Sequence, residues 1–227
     1  MTDVNAANLI RLREEVIRAG QGLLRSGLVV GTWGNLSVRV PGSDTFLITP
    51  SGKSYLDITP QDLVLMNLAG EIVEGCCKPS SEYHLHLFIY RVRTEIQAVV
   101  HTHSIYASAH AVSRVSIPAC VEDQAMIIGG ELKVANYALP GTAELARNAV
   151  DALGERWAVL LANHGMVGAG RSLAEAMLVC RLVEKSAHIN IAARLLGQPV
   201  ELGDEDVKEL RNSYLSAYGN EIGRKAD

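Results

Sequence analysis

Two histidines, His101 and His103, stand one residue apart at the end of the apolar run AVVHTH. Side chains at i and i+2 of a strand point to the same face, so an extended chain sets both imidazoles over one spot, a natural two-ligand clamp for zinc. A second pair, His84 and His86, falls in a stretch of helical pattern. On a helix two residues span about 200° of rotation, so one ion does not easily hold both. These two are read as surface or packing residues. A third candidate, His164, ends the apolar run LLANH beside Gly165. Three histidines with open coordination positions make a catalytic rather than a structural set. Taken singly, His101 and His103 have an ordinary alternative as surface imidazoles, and His164 as a strand-end histidine in contact with solvent.

Glu82 follows Ser80 and Ser81 in KPSSEYH. Two serines at a helix start offer backbone N–H groups to an anion, and a glutamate there can reach whatever the pocket holds; an ordinary helix cap is the alternative. GTWGNLS and ITPSGKS are two further loops of small and hydroxyl residues, able to present amides to a phosphate or to act as plain turns. Neither matches a nucleotide-binding fingerprint.

These residues need elements to hold them. Leu9, Leu12, Val16, Leu23 and Leu24 recur at helical spacing opposite Arg11, Glu14, Glu15 and Arg18, with Gly27 placed to end the helix. NLSVRV and TFLITP alternate around PGSD as a hairpin. Thr59, Pro60 and Asp62 mark a helix start, LVLMN and EIVE are short strands, and PSSEYHLHLFIYRVR is helical from Ser80 or Ser81. IQAVVHTH and RWAVLLANHG are apolar throughout, as in strands buried on both faces. Ser172 and Glu175 open a long helix that runs to about Leu196, before Gly197. The expectation is a single-domain layered α/β fold across residues 1–227, a central sheet flanked by helices.

The 227 residues carry a net charge of -4 and are 48% hydrophobic. That balance lacks the basic footprint of a nucleic-acid binder. No apolar run approaches the ~18 residues of a membrane span, and the N-terminus shows no secretory pattern. The four cysteines have no metal or disulfide spacing. No nucleic-acid or membrane partner is expected, and a cytoplasmic location is.

Together TWGNLS, ITPSG, PSSE, HTH and NHG occur in the order of the class II aldolase/adducin family, which the chain resembles over nearly its whole length. The resemblance implies a divalent metal, usually zinc, on His101, His103 and His164, with cobalt or manganese also compatible with imidazole. It implies that Glu82 is the acid/base and approaches the metal when no substrate is bound. Gly34 and Asn35, Ser51 and Gly52, and Ser80 and Ser81 correspond to the binders of a substrate phosphate. It further implies a homotetramer with active sites between subunits, where Tyr218, in a C-terminal tail of about 204–227, reaches a neighbouring site.

The reaction so implied is the reversible cleavage of a ketose 1-phosphate, such as L-fuculose 1-phosphate, to dihydroxyacetone phosphate and a short aldehyde such as L-lactaldehyde. Where such enzymes carry an active-site tyrosine, this chain has Glu122 and Asp123 in CVEDQAM. The aldehyde half is therefore open, and cleavage or dehydration of 5-deoxyribulose or 5-methylthioribulose 1-phosphate is the alternative. A 4-epimerase of the same scaffold usually has aspartate after the two serines, where Glu82 stands. A non-catalytic adducin-like module is expected to have lost the metal ligands, all of which are here.

Overall fold

Alternation decides how the sheet is buried. In β1 (Asn35–Arg39), Leu36 and Val38 face one side while Asn35 and Ser37 face the other. β2 (Thr45–Ile48) returns antiparallel to it, and β3 (Val64–Asn67) and β4 (Ile72–Glu74) continue the meander. β5 (Ala98–Thr102) joins the other edge of β1, followed by β8 (Gly165–Gly170), β7 (Ala158–Leu161) and the short β6 (Val134–Ala135). Every pairing is antiparallel except that of β6 with β7. The computed structural model describes residues 3–218.

Helices cover both faces, which is why β5 and β7 are buried throughout despite lying in a largely antiparallel sheet. On one side α1 (Asp3–Arg25), α3 (Ile105–Ser113) and α5 (Leu173–Leu196) pack Val16, Leu23, Ala107, Val179 and Val183 against Leu36, Val100 and Leu160. On the other, α2 (Tyr83–Val92) and α4 (Ala143–Leu153) bring Leu85, Ile89, Leu145 and Ala149 onto Phe46, Val99, Val159 and Val167. The result is the layered α/β domain expected from the sequence. No helix among the described residues is long and apolar enough to cross a membrane. The described residues end in α6 (Asp204–Ser213) and a π turn, Tyr214–Tyr218.

Three elements differ from the sequence reading. Asp62 accepts from the N–H of Thr59, as in a capping box, and from its hydroxyl, yet the helix is a single 3₁₀ turn, Pro60–Asp62. Leu63 is already extended, and β3 follows at once. α2 begins at Tyr83 rather than at the serines: Pro79 bridges to Pro50 and the Ser80 N–H donates to Thr49 O, which holds Ser80 against the end of β2, while Ser81 lies in the turn before the helix. β8 is a full strand although its sequence is GMVGAG. Its glycines admit neighbours that side chains would exclude. A Cβ on Gly168 would lie 2.7 Å from Cys180 Sγ, and one on Gly165 would lie 2.2 Å from Thr102 O.

Candidate active site

β1, β5 and the β7–β8 turn end together, and each contributes a polar group there. Asn35, the first residue of β1, is paired in register with His101 on β5. His101 shares a face with Val99, toward α2. His103 lies just past the strand end, and Ser104 then caps α3. His164 sits within the hairpin turn, where Asn163 takes φ 55° and the His164 N–H donates to Leu161 O. Glu82 is the half-turn residue at the head of α2. Gly34 permits the approach of β1, since a Cβ there would meet His101 O at 2.8 Å and Val29 at 2.7 Å on a backbone with φ +87°.

The four side chains meet at one point. One donor atom from each of Glu82, His101, His103 and His164 lies within 4.8 Å of all the others. His101 Nε2 is 2.8 Å from His103 Nε2 and 3.2 Å from Glu82 Oε2, while His164 Nε2 is 3.4 Å from Glu82 Oε1. His101 Nδ1–H donates to Met166 O at 2.9 Å, which fixes its orientation and turns Nε2 toward the cluster, the usual arrangement behind a metal-ligating imidazole.

Electrostatics favour the same use. Burial, then the neighbouring imidazoles, lowers His103 to about 3 and His164 to about 4, so both keep lone pairs at neutral pH. Burial opposes charge on His101, but the Glu82 carboxylate outweighs it and the group lies above the ordinary histidine value. Burial likewise opposes ionisation of Glu82, yet His101, His164 and Asn35 hold it well below the carboxylate range. A buried carboxylate among inward-facing imidazoles, with Glu82 Oε1 left without a hydrogen-bond partner, fits a divalent cation by donor type and convergence.

The cluster floors a cleft of about 480 Å³. Gly34, Asn35, Ser51, Gly52, Ser80 and Ser81 all line it, with Glu82, His103 and His164. Asn35 and Ser80 are buried, and the exposed Ser51, Gly52 and Ser81 stand toward solvent. A larger cavity of about 810 Å³ lies against Arg93, Trp157 and Arg211. The guanidinium groups of Arg93 and Arg211 are taken up by backbone carbonyls of Gly154, Glu155 and Arg156 and of Met126 and Ile127, and among the described residues no metal-type donor cluster accompanies them.

Glu122 is exposed, Asp123 pairs with Lys185, and neither lines this cleft within the single chain. Tyr218 closes the last π turn; its side chain and residues 219–227 lie outside the described residues. The sequence reading passed over two groups. Trp33 lines the cleft, 66% exposed, with its ring 5.6 Å from that of His103. His86, read as surface or packing, is fully buried and bonds Asn35. Its spacing of four from Glu82 on a helical stretch was the available signal.

Residues 14–191 match the family model described as the class II aldolase and adducin N-terminal domain. A 5-deoxy-D-ribulose 1-phosphate aldolase of Bacillus thuringiensis serovar kurstaki is 37% identical over 209 residues, 92% of this chain and 97% of that protein. A 5-methylthioribulose-1-phosphate/5-deoxyribulose-1-phosphate aldolase of Rhodospirillum rubrum is 37% identical over 211 residues, 93% and 94% of the two chains. A solved structure of an L-fuculose 1-phosphate aldolase superposes with a TM-score of 0.88 at 38% identity, covering 90% of this chain and 96% of its own. Sequence, fold and near-complete coverage thus agree: the chain belongs to the class II aldolase and adducin family, as an enzyme of its aldolase branch.

Proposed function

We propose that this enzyme reversibly cleaves a ketose 1-phosphate to dihydroxyacetone phosphate and a short aldehyde. The observation that carries this reading is the convergence of Glu82, His101, His103 and His164 beside a cleft lined by three hydroxyl- and amide-bearing loops. His101, His103 and His164 would hold a divalent metal, zinc in our reading, with cobalt or manganese as substitutes. Such an ion supplies positive charge to the substrate oxygens on which electron density collects as the carbon–carbon bond breaks.

The chain's own groups do the rest. The loops at Gly34 and Asn35, Ser51 and Gly52, and Ser80 and Ser81 anchor the phosphate, Asn35 through its backbone since its amide is held by Glu82 and His86, so that binding remote from the reacting carbons orients them. When the bond breaks, its electron pair stays on the carbon next to the ketone. Glu82 delivers a proton there in cleavage and removes it in condensation. Three neutral imidazoles leave the cation's charge intact, which three thiolates would cancel. Tyr218, in the segment from about 204 to 227, completes the aldehyde half from a neighbouring subunit of a homotetramer.

Two substrate readings share this chemistry. L-fuculose 1-phosphate is supported by the structural likeness, and 5-deoxyribulose or 5-methylthioribulose 1-phosphate by two relatives at 37% identity. Glu122 and Asp123, where the tyrosine of fuculose-type enzymes is expected, leave the second open. Release of dihydroxyacetone phosphate from these ketose phosphates by the metal-analysed enzyme separates them. Glu82→Gln should fold and lose turnover by about 10²–10⁴-fold; undiminished turnover would remove Glu82 as the proton carrier.

A further inference from the structure

A file of buried polar groups runs from the core to the active-site glutamate. Asn35 and Ser37 are alternate residues of β1, on the face toward α2, and His86 and Tyr90 are one helical turn apart on α2. Ser37, His86 and Tyr90 are all 0% exposed and Asn35 is 4% exposed. Tyr90 Oη lies 2.8 Å from Ser37 Oγ, Ser37 Oγ lies 2.7 Å from His86 Nδ1, and His86 Nε2 lies against Asn35 Oδ1. Asn35 Nδ2–H donates to Glu82 Oε2 at 3.0 Å.

Hydrogen-bond chemistry gives every link one direction. A carboxylate only accepts, so the amide group of Asn35 that faces Glu82 is the NH2. Its carbonyl therefore faces His86, and Nε2 carries the proton. Burial lowers His86 to about 3, so the ring is neutral and its Nδ1 is bare. Nδ1 then accepts from the Ser37 hydroxyl, which in turn accepts from Tyr90. Tyr90 is itself enclosed, so the file opens onto no solvent and supplies no protons. It sets orientation.

We propose that His86 is a positioning residue for Glu82: through Asn35 it locks the amide with its NH2 toward the carboxylate and so fixes the oxygen that meets the substrate carbon. The inference rests on the reading of Glu82 as the proton carrier. Without the His86 donor the Asn35 amide is free to rotate, and a carbonyl turned toward Glu82 would repel it. A small misplacement of the group that transfers the proton costs rate while leaving substrate binding largely in place.

The test uses a partial reaction: exchange of the carbon-bound proton of dihydroxyacetone phosphate with solvent deuterium, without aldehyde, in the metal-replete enzyme. His86→Met should slow exchange at saturating substrate roughly ten- to a hundredfold, with the concentration for half-saturation changed less than about threefold. His86→Gln, whose amide NH2 can take the place of Nε2–H, should recover much of the rate. In an Asn35→Ala background, His86→Met should add nothing further, because the link is already cut; a merely structural effect would persist there. Undiminished exchange in His86→Met, or an equal loss in the Asn35→Ala background, would overturn the proposal. Should His86→Met not fold, Ser37→Ala is read in its place: exchange reduced severalfold supports the file, and unchanged exchange refutes it. Absence of exchange in the wild type would instead overturn the aldolase reading on which the proposal depends.

Discussion

Protonation of His86 gives the most direct check on the buried file, because its sign follows chiefly from burial. An unfolded histidine titrates near 6.5, whereas the fully buried ring is pushed down to about 3, first by desolvation and then by His101, against an opposing pull from Glu82. Between those values the unfolded chain takes up a proton that the folded chain refuses. Stability from this group is therefore complete above pH 6.5 and is lost as pH falls toward the folded value. Integrated from about pH 7 to about pH 5, the loss is about 2 kcal/mol. The assay is urea unfolding of wild type and His86→Gln at those two pH values. His101, His103, His164 and Glu82 titrate in both proteins, so their contributions cancel in the comparison, and the gap between the two should shrink by about 2 kcal/mol at the lower pH. A gap that stays constant would show that His86 titrates normally in the folded protein and is not the enclosed neutral ring described above.

Two further perturbations probe the surroundings. Gly165→Ala would place a Cβ 2.2 Å from Thr102 O and 3.4 Å from the His101 ring, prying β8 from β5 beside two of the histidines. We expect it to cost about 1–3 kcal/mol, seen as a fall in melting temperature with reduced metal content per chain, and wild-type values of both would refute the close approach. Tyr214 Oη–H donates to Glu175 Oε1 at 2.6 Å, where Glu175 is buried and also accepts from the Arg171 backbone and side chain. Tyr214→Phe should lower unfolding free energy by about 1–2 kcal/mol, and no change would mean that Arg171 alone satisfies the carboxylate.

Where local chemistry decides structure, the chain was readable. Ser172 accepts from the Glu175 N–H at the head of α5, and that helix closes at Leu196 before Gly197, as read. The hairpin of β1 and β2 follows from the alternation of Leu36 and Val38 around a polar turn. Where tertiary contact decides, the pattern misled or fell silent. β8 is built of residues with little strand preference, because α5 and β5 press so close that only glycine fits at Gly165 and Gly168. NHG, read as the end of a strand, is a hairpin turn in which Asn163 takes a left-handed conformation. Thr59 and Asp62 pair as a helix start that stops after one turn, because the apolar residues behind it are taken up in β3.

The site shows the same division within four residues. Rotation about a helix axis rightly separated His84 from His86 as partners for one ion: His84 Nδ1 faces Gly141 O, whereas His86 is enclosed beneath Asn35. The same arithmetic, applied along the chain instead of across the pair, sets Glu82, His86 and Tyr90 four residues apart in succession, one above another on a single face. Asn35 and Ser37 stand two apart on β1, which is the spacing that turns both toward that face. Each half of the file was thus legible by its own period. That the halves meet was not, since it depends on β1 lying over α2 with Asn35 level with His101. A histidine without a partner in its own segment is therefore better judged by what stands one turn before it than by the nearest second histidine.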